Sequence, residues 1–163
     1  RMLETRLDQS LPVGNEGGGF RGNRLYAVDI ATASGDITGT DSIVWTLDRD
    51  TPYVPSPVLY DDVLYFTKSN AGVLSAYDAE SGTRIYGPER LPGIRDVYAS
   101  PVAAGGNLYI TSRDGETVVI GTGPEFSVIA NNTLDDAIDS SPAVVGGEIY
   151  FRGQEYLYCI AAD

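Results

Sequence analysis

The sequence predicts an all-β protein, a partial β-propeller made of four-stranded antiparallel blades. Short runs of Val, Ile, Leu and Tyr alternate with Gly and Pro, which is typical of strands joined by tight turns. No apolar period of about 3.6 residues is sustained along the chain, so no helix is predicted. A serine–proline pair also recurs at regular spacing, and the number and order of strands are predicted from this repeat.

The repeat has the length of one propeller blade. Pro57, Pro101 and Pro142 each follow a serine, and the three prolines are 44 and 41 residues apart. A period of about 40 to 45 residues that holds four short strands is the size of one blade. The thirteen strands expected, in chain order, are residues 25–29 and 43–47; 56–59, 63–66, 73–78 and 83–86; 100–103, 107–110, 117–120 and 126–129; and 141–144, 148–151 and 157–160.

Turn residues fall at the same place in each copy. Asp61-Asp62, Gly105-Gly106 and Gly146-Gly147 lie between the first and second strands, where a two-residue hairpin favours residues that accept positive φ. The proline that opens each blade lacks an N–H and is tolerated at the start of a strand. Both features favour hairpin-connected antiparallel strands.

One stretch of the repeat resembles a known family. Residues 76–86, AYDAESGTRIY, are similar to the quinoprotein-type propeller repeat Ala-x-Asp-x-x-Thr-Gly-x-x-x-Trp, with Ser81 for Thr and Tyr86 for Trp. An earlier copy runs from Ala27 to Trp45 with an insertion, and a third copy, around residues 120–123, has lost the aspartate. The chain thus resembles the pyrroloquinoline-quinone-like repeat family over residues 21–163. In that family the Trp packs between blades, which implies that Trp45 and Tyr86 are structural inter-blade staples.

The repeat divides the chain into a leader and a set of blades. Residues 1–22 show little periodicity and are expected to form an atypical leader or linker. Residues 23–163 are expected to form a partial blade (23–53), two blades (54–97 and 98–138) and a second partial blade (139–163). These blades do not close a ring, so completion is expected from self-association or from a missing N-terminal half, with this chain a C-terminal fragment of about three to four blades.

Charge and composition limit the partners. The chain has 11 Lys plus Arg against 23 Asp plus Glu, a net charge of −12, which disfavours nucleic acid. No apolar run reaches the roughly 20 residues that span a bilayer, so no membrane insertion is predicted. The family resemblance implies a periplasmic or extracellular bacterial location, although no secretion signal opens the chain. The single cysteine, Cys159, lies in an apolar run and is predicted to be a buried structural thiol.

The candidate ligand site lies in the segments that lead from the fourth strand of one blade to the first strand of the next. In a propeller these segments reach the central channel, and here they concentrate charge and aromatic rings. The candidate channel-mouth residues are Asp50, Tyr53, Arg95, Asp96, Tyr98, Asp135, Asp136 and Asp139. An ordinary set of solvated loops remains the alternative. The acids of residues 135–139 do not have the spacing of a calcium loop, so no metal is predicted.

The chemistry available favours binding over catalysis. The chain has no histidine, which excludes Ser–His and Cys–His pairs and imidazole metal sites. Resemblance to quinoprotein dehydrogenases implies adjacent cysteines beside pyrroloquinoline quinone and a calcium ion, but one cysteine cannot provide that pair. The sequence therefore predicts a non-catalytic propeller that acts as a binding or assembly scaffold, with no cofactor and an unknown protein or small-molecule ligand. The alternative is half or a remnant of a quinone- and calcium-dependent dehydrogenase.

Overall fold

The computed structural model describes residues 2–6 and 23–161, and these residues contain fourteen β-strands. Of residues 2–6 only the backbone is described. In the described residues no helix is long and apolar enough to cross a membrane. The strands are Met2–Arg6 (β1), Arg24–Val28 (β2), Ile43–Leu47 (β3), Val58–Tyr60 (β4), Val63–Thr67 (β5), Val73–Asp78 (β6), Arg84–Arg90 (β7), Val102–Ala104 (β8), Asn107–Thr111 (β9), Glu116–Gly121 (β10), Val128–Thr133 (β11), Ala143–Val145 (β12), Glu148–Arg152 (β13) and Leu157–Ala161 (β14).

The strands form four antiparallel sheets, which we call blades 1 to 4. Blade 1 has the strand order β1-β2-β3, blade 2 β4-β5-β6-β7, blade 3 β8-β9-β10-β11 and blade 4 β12-β13-β14. The first strands of blades 2, 3 and 4 are neighbours, since β8 contacts both β4 and β12. The predicted all-β partial propeller is confirmed, and all thirteen expected strands are present.

The additional strand, β1, lies in the segment expected to be a leader. It pairs antiparallel with β2, so it occupies the place in blade 1 that β5 and β9 occupy in blades 2 and 3. The rest of the expected leader, residues 7–22, lies outside the described residues. Among the described residues blade 1 has no first strand and blade 4 has no fourth strand.

The tight hairpins follow from the turn residues. Asp61 and Asp62 have φ angles of 47° and 61°, and both residues of the Gly105-Gly106 and Gly146-Gly147 pairs also have positive φ. This left-handed backbone matches the twist of two antiparallel strands, and Gly and Asp adopt it with little steric penalty. The predicted hairpin between the first and second strands is confirmed in blades 2, 3 and 4.

Apolar faces of consecutive blades pack against each other. Between blades 2 and 3, Tyr65 and Leu74 meet Leu108, Ile110 and Ile120 in one buried cluster. Between blades 1 and 2, a second cluster joins Leu25 to Leu64 and Phe66, and the Phe66 ring stacks on Tyr77 at 5.3 Å. Burial of these faces is the main favourable contribution to blade association.

The serines of the serine–proline repeat link the blades through hydrogen bonds. The backbone N–H of Ser56 donates to Oγ of Ser100 at 2.9 Å, and the N–H of Ser100 donates to Oγ of Ser141 at 2.9 Å. The spacing of the serine–proline repeat is therefore also the spacing of an inter-blade ladder, in which the hydroxyls of Ser100 and Ser141 each accept from the preceding blade. We call Ser56, Ser100 and Ser141 the serine ladder.

Removal of apolar side chains from the interface of blades 2 and 3 should destabilise the chain. Ile110 is 0% exposed, so Ile110→Ala should lower the free energy of unfolding by about 2–5 kcal/mol, because it deletes buried methyl groups and leaves a cavity. Ile30, which is 57% exposed in the β2–β3 loop, provides the matched control, and Ile30→Ala should change stability by less than about 0.5 kcal/mol. Urea denaturation measures both. Equal effects of the two substitutions would contradict the stacked arrangement.

Candidate functional site

Each blade is connected to the next by one loop, and these three loops carry the predicted channel-mouth residues. They are residues 48–57, 91–101 and 134–142. One backbone hydrogen bond attaches each loop to the blade that follows it. The donor lies in the turn between the second and third strands of that blade. The donors and acceptors are Ser69 N–H to Thr51 O (2.8 Å), Arg113 N–H to Asp96 O (2.9 Å) and Gln154 N–H to Ala137 O (3.0 Å).

The later two loops are also fixed to the preceding blade. The N–H of Val97 donates to Asn70 O at 2.7 Å, and the N–H of Ile138 donates to Arg113 O at 3.1 Å. Both side chains are fully buried, and Pro52, which has the equivalent position in the first loop, is buried as well. The channel-mouth loops are therefore part of the interface between blades and are not free to move independently of them.

The backbone register sorts most of the predicted site residues into two repeated positions. The reference point in each loop is the residue whose carbonyl accepts the hydrogen bond described above, which is Thr51, Asp96 or Ala137. One position lies immediately before this residue, and the other lies two residues after it. The first position is held by Asp50, Arg95 and Asp136, and the second by Tyr53, Tyr98 and Asp139. Equivalent positions in successive blades carry different side chains, so each loop makes its own contacts.

Arg113 gathers three of the eight predicted residues. It lies in the β9–β10 turn, where Nε donates to Asp139 Oδ1 at 2.6 Å and a second guanidinium nitrogen donates to Asp139 Oδ2 at 3.2 Å. Another nitrogen lies 3.5 Å from Asp96 Oδ2, and the guanidinium carbon lies 4.1 Å from the centre of the Tyr98 ring. Such a planar, two-pronged contact with a carboxylate suits arginine rather than lysine.

The acids around Arg113 stabilise its charge. The hydrogen bond to Asp139 raises the pKa of Arg113 above its ordinary value, partial desolvation opposes this, and the Asp139 and Asp96 charges reinforce it. Because the loop that carries Asp139 leads into blade 4 while Arg113 belongs to blade 3, the pair connects two blades. We call Arg113, Asp96, Asp139 and Tyr98 the arginine cluster. The charged groups of this cluster mainly contact one another.

Asp136 binds the β13–β14 turn of blade 4. Its carboxylate accepts hydrogen bonds from the backbone N–H groups of Gln154 (3.1 Å), Glu155 (3.1 Å) and Tyr156 (3.0 Å), and from the Tyr158 hydroxyl (3.3 Å). Partial desolvation raises the pKa of Asp136, but these donors outweigh it and hold the pKa below its ordinary value. Asp136 thus closes the β13–β14 turn from the neighbouring loop.

The remaining predicted residues are not gathered into one site. Asp50 has a φ of 57° and forms an ion pair with Lys68, with Nζ 2.7 Å from Oδ1. Tyr53, Arg95 and Asp135 are exposed. Whether the eight residues together form a ligand mouth stays a prediction.

The acidic side chains that a calcium ion would need are not gathered at one place in the described residues. No group of three or more His, Cys, Asp or Glu side chains in this part of the chain is placed to hold a metal ion. Asp136 and Asp139, which the sequence places close together, bind different partners. Cys159 was predicted to be buried, and this is wrong, because the thiol lies exposed on β14, which has no further strand beside it in the described residues.

Trp45 and Tyr86 lie at equivalent positions between blades. Trp45 pairs with Ala27 in blade 1, and its Nε1 donates to Ala79 O of blade 2 at 3.1 Å. Tyr86 pairs with Ala76 in blade 2, and its ring lies 5.9 Å from the ring of Phe126 of blade 3. Burial raises the pKa of Tyr86, and nearby Tyr65 and Glu89 reinforce this rise.

The residues of the family motif have a local structural explanation in blade 2. The Asp78 carboxylate accepts from both the N–H (2.7 Å) and the hydroxyl (2.6 Å) of Ser81, and these bonds lower the pKa of Asp78. Gly82 has a φ of 69°, and a Cβ there would lie 2.7 Å from the Trp45 ring. The motif therefore specifies a tight β6–β7 turn on which the aromatic residue of the preceding blade packs.

Sequence reasoning missed Arg113 and the serine ladder. The serines belong to the repeat, but the sequence pattern indicates a role only for the prolines. Arg113 lies in a short polar turn and carries no repeat signal, since Ser69 and Gln154 have its position in the neighbouring blades. Only the folded arrangement brings it to Asp96 and Asp139.

Comparisons with known proteins identify a family and similar solved structures. A family model described as outer membrane protein assembly factor BamB matches residues 20–163. Among solved structures, BamB from Moraxella catarrhalis is similar at 15% identity. The match covers 83% of this chain and 52% of the BamB chain, with a TM-score of 0.41. Quinohemoprotein alcohol dehydrogenase ADHIIG from Pseudomonas putida HK5 is similar at 20% identity, covering 72% of this chain and 20% of its own length, with a TM-score of 0.52.

The chain thus spans about half of the first of these structures and about a fifth of the second. At such low identity the second structure supports the propeller fold alone. No curated protein matches the chain.

The contact between Asp136 and the β13–β14 turn can be tested at Gly153. A Cβ at this buried residue would overlap the Asp136 carboxylate, so Gly153→Ala should lower the melting temperature by at least about 2 °C. Gly121→Ala is the matched control, because a Cβ there meets its nearest atom at 3.6 Å, an ordinary contact, and should have little effect. In an Asp136→Ala background the cost of Gly153→Ala should shrink. Equal melting temperatures for the two glycine variants would contradict the placement of Asp136.

Proposed function

The chain belongs to the pyrroloquinoline-quinone-like repeat family of outer membrane protein assembly factor BamB, and we propose that it acts as a non-catalytic binding or assembly scaffold. The observation that carries the proposal is the family match over residues 20–163, whose description names an assembly factor rather than an enzyme. Propeller folds host many functions, so the side chains of the site must also agree with this role.

The channel-mouth loops agree with a scaffold. A general acid or base needs a titratable group that is free to face a substrate and has a pKa near the working pH. Here Arg113 and Asp139 bind each other, and Asp136 is held by backbone N–H groups. With no histidine in the chain, no Ser–His or Cys–His pair can form within it. The polar contacts of the channel-mouth loops instead fix one blade to the next.

The proposed partner is an outer-membrane polypeptide that has not yet folded. The family description supplies the class of protein, and the exposed apolar side chains of blade 4 supply a surface for it, among them Val145, Tyr156 and Leu157. Exposed apolar side chains of this kind can contact other polypeptides. Completion of the propeller by self-association or by further N-terminal blades stays a prediction.

Binding of an unfolded membrane polypeptide tests the proposed role. A fluorescently labelled outer-membrane β-barrel protein, unfolded in urea and diluted into buffer, should bind the chain saturably in an anisotropy titration. A reduced, carboxymethylated globular protein of similar length serves as the control and should bind at least about tenfold more weakly, because its apolar residues do not alternate along extended segments. Equal binding of both probes, or no binding of either, would contradict the proposal.

The same preparation distinguishes the dehydrogenase alternative. After incubation with pyrroloquinoline quinone and calcium and removal of free quinone by desalting, the scaffold role predicts no retained quinone absorbance and no dye reduction with alcohols. A retained chromophore together with dye reduction would establish the alternative and overturn the scaffold.

A further inference from the structure

The interface between blades 3 and 4 has less apolar packing than the other two interfaces. The buried clusters between blades 1 and 2 and between blades 2 and 3 include no residue of blade 4. Leu64 and Leu108 face the preceding blade from the second strands of blades 2 and 3, and both are 0% exposed. Ile149 has the equivalent position in blade 4 and is only half-buried. Apolar burial therefore holds blade 4 to blade 3 less firmly.

One cause is a pair of hydroxyls on the face that blade 3 presents to blade 4. Leu74 lies in the cluster between blades 2 and 3, so its position on the third strand faces the next blade. The equivalent of Leu74 in blade 3 is Thr117. Its Oγ1 lies 3.0 Å from Oγ1 of Thr111, and both residues are buried. A hydroxyl pair buries less apolar surface at this position than leucine does.

The other cause is an alanine at the position of the aromatic staple. Tyr86 pairs with Ala76 in blade 2, and its ring reaches Phe126 of blade 3. The equivalent residue in the fourth strand of blade 3 is Ala130, which pairs with Val119. A methyl group at this position cannot reach the next blade as the tyrosine ring does. The outer part of the interface between blades 3 and 4 is therefore not stapled from this position.

An ion pair crosses this interface. The Arg113 guanidinium, on the blade 3 side, donates to both carboxylate oxygens of Asp139, at 2.6 and 3.2 Å. At the interface of blades 2 and 3 the equivalent residues are Ser69 and Tyr98, which carry no charge. A two-pronged contact between charged groups is one of the stronger kinds of hydrogen-bonded pair. The two side chains are 41% and 44% exposed, so salt in the solvent screens their attraction.

Arg113 is held in place from the blade 3 side. Its guanidinium carbon lies 4.1 Å from the centre of the Tyr98 ring, and one of its nitrogens lies 3.5 Å from Asp96 Oδ2. Both partners belong to the loop that leads into blade 3. The guanidinium is therefore positioned to meet Asp139 without having to be ordered by it.

Asp139 is held from the blade 4 side. In the same loop, Asp136 accepts hydrogen bonds from three backbone N–H groups of the β13–β14 turn. Ser140 Oγ donates to Arg152 O of blade 4 at 2.8 Å. Residues 135–142 therefore belong with blade 4, and the ion pair joins two bodies that are each ordered by their own contacts.

We propose that the Arg113–Asp139 ion pair is an ionic latch, which sets how often blade 4 and residues 135–142 separate from blade 3 as one unit. Higher ionic strength weakens the pair and favours the open form, in which the face of blade 3 that carries Thr117 and Val119 is uncovered. The clusters between blades 1, 2 and 3 stay closed, so the opening is local. The latch does not rest on the proposed function.

Two backbone amides report separately on the two interfaces. The N–H of Ile138 donates to Arg113 O at 3.1 Å across the interface of blades 3 and 4. The N–H of Val97 donates to Asn70 O at 2.7 Å across the interface of blades 2 and 3. Both residues are 0% exposed, so each amide exchanges with solvent only when its own interface opens. Amide hydrogen exchange detected by nuclear magnetic resonance measures the two rates in one sample.

Removal of the charge of Asp139 should speed exchange at Ile138 and not at Val97. Asp139→Asn keeps the shape of the side chain, and it should raise the exchange rate of the Ile138 amide about three- to tenfold while that of Val97 changes less than about twofold. Asp96→Asn is the matched control, because it removes a carboxylate beside the same arginine on the blade 3 side, and it should leave Ile138 within about twofold of its original rate. In an Arg113→Gln background, Asp139→Asn should add little.

Ionic strength distinguishes a latch from a contact that only supports the fold. Raising sodium chloride from about 0.02 M to about 0.5 M should speed Ile138 exchange at least about threefold in the unsubstituted chain, relative to Val97. In Asp139→Asn the same change should have an effect of less than about 1.5-fold, because screening acts only while both charges are present. The comparison of Ile138 with Val97 in the unsubstituted chain needs no variant to fold.

Three results would overturn the latch. The first is an Ile138 exchange rate that is the same in the unsubstituted chain and in Asp139→Asn. The second is equal exchange at Ile138 and Val97 under every condition, which would mean that both interfaces open together by global unfolding. The third is a salt response of equal size with and without the Asp139 charge, which would assign the response to other charges.

Discussion

Blade 2 has two apolar faces, one covered by blade 1 and the other by blade 3. The second and third strands of blades 2 and 3 are buried on both faces, as with Tyr65 and Leu64, which point to opposite sides of blade 2 and are both almost fully buried. A single blade of this size could not bury enough apolar surface to fold alone. The blades therefore depend on one another for stability. Polar contacts between the blades determine the geometry in which they pack.

Polar contacts fix the register of that packing. The serine ladder joins the first strands, the buried residues Val97 and Ile138 attach the connecting loops to the preceding blade, and Arg113 binds Asp139 across the interface of blades 3 and 4. Each contact is small by itself, since an exposed ion pair or a single hydrogen bond contributes little net stability. Together they specify one geometry between faces that would otherwise pack in several ways. The same contacts engage charged groups of the channel mouth, among them Asp139 and Asp136.

How far the sequence predicted the structure depended on whether a feature was local or repeated. Hairpins such as Gly105-Gly106 and the motif turn around Gly82 follow from residues adjacent in sequence, and both were predictable. The fourth strand of blade 3 was expected at residues 126–129 but is Val128–Thr133, because a half-exposed strand has few apolar residues to mark it and its pairing is irregular after Val119. Arg113 could not be predicted, since its partners are distant in sequence. The exposure of Cys159 could not be predicted either, because it depends on the neighbour of β14 and not on β14 itself.

Residue-resolved amide hydrogen exchange tests most directly the claim that the covered apolar faces hold the blades together. The account predicts slow exchange at every amide from Thr117 to Ile120 in β10, which pairs on both sides, and fast exchange in the β2–β3 loop around the exposed Ile30. Fast exchange along β10, or protection of that loop equal to the protection of β10, would contradict it.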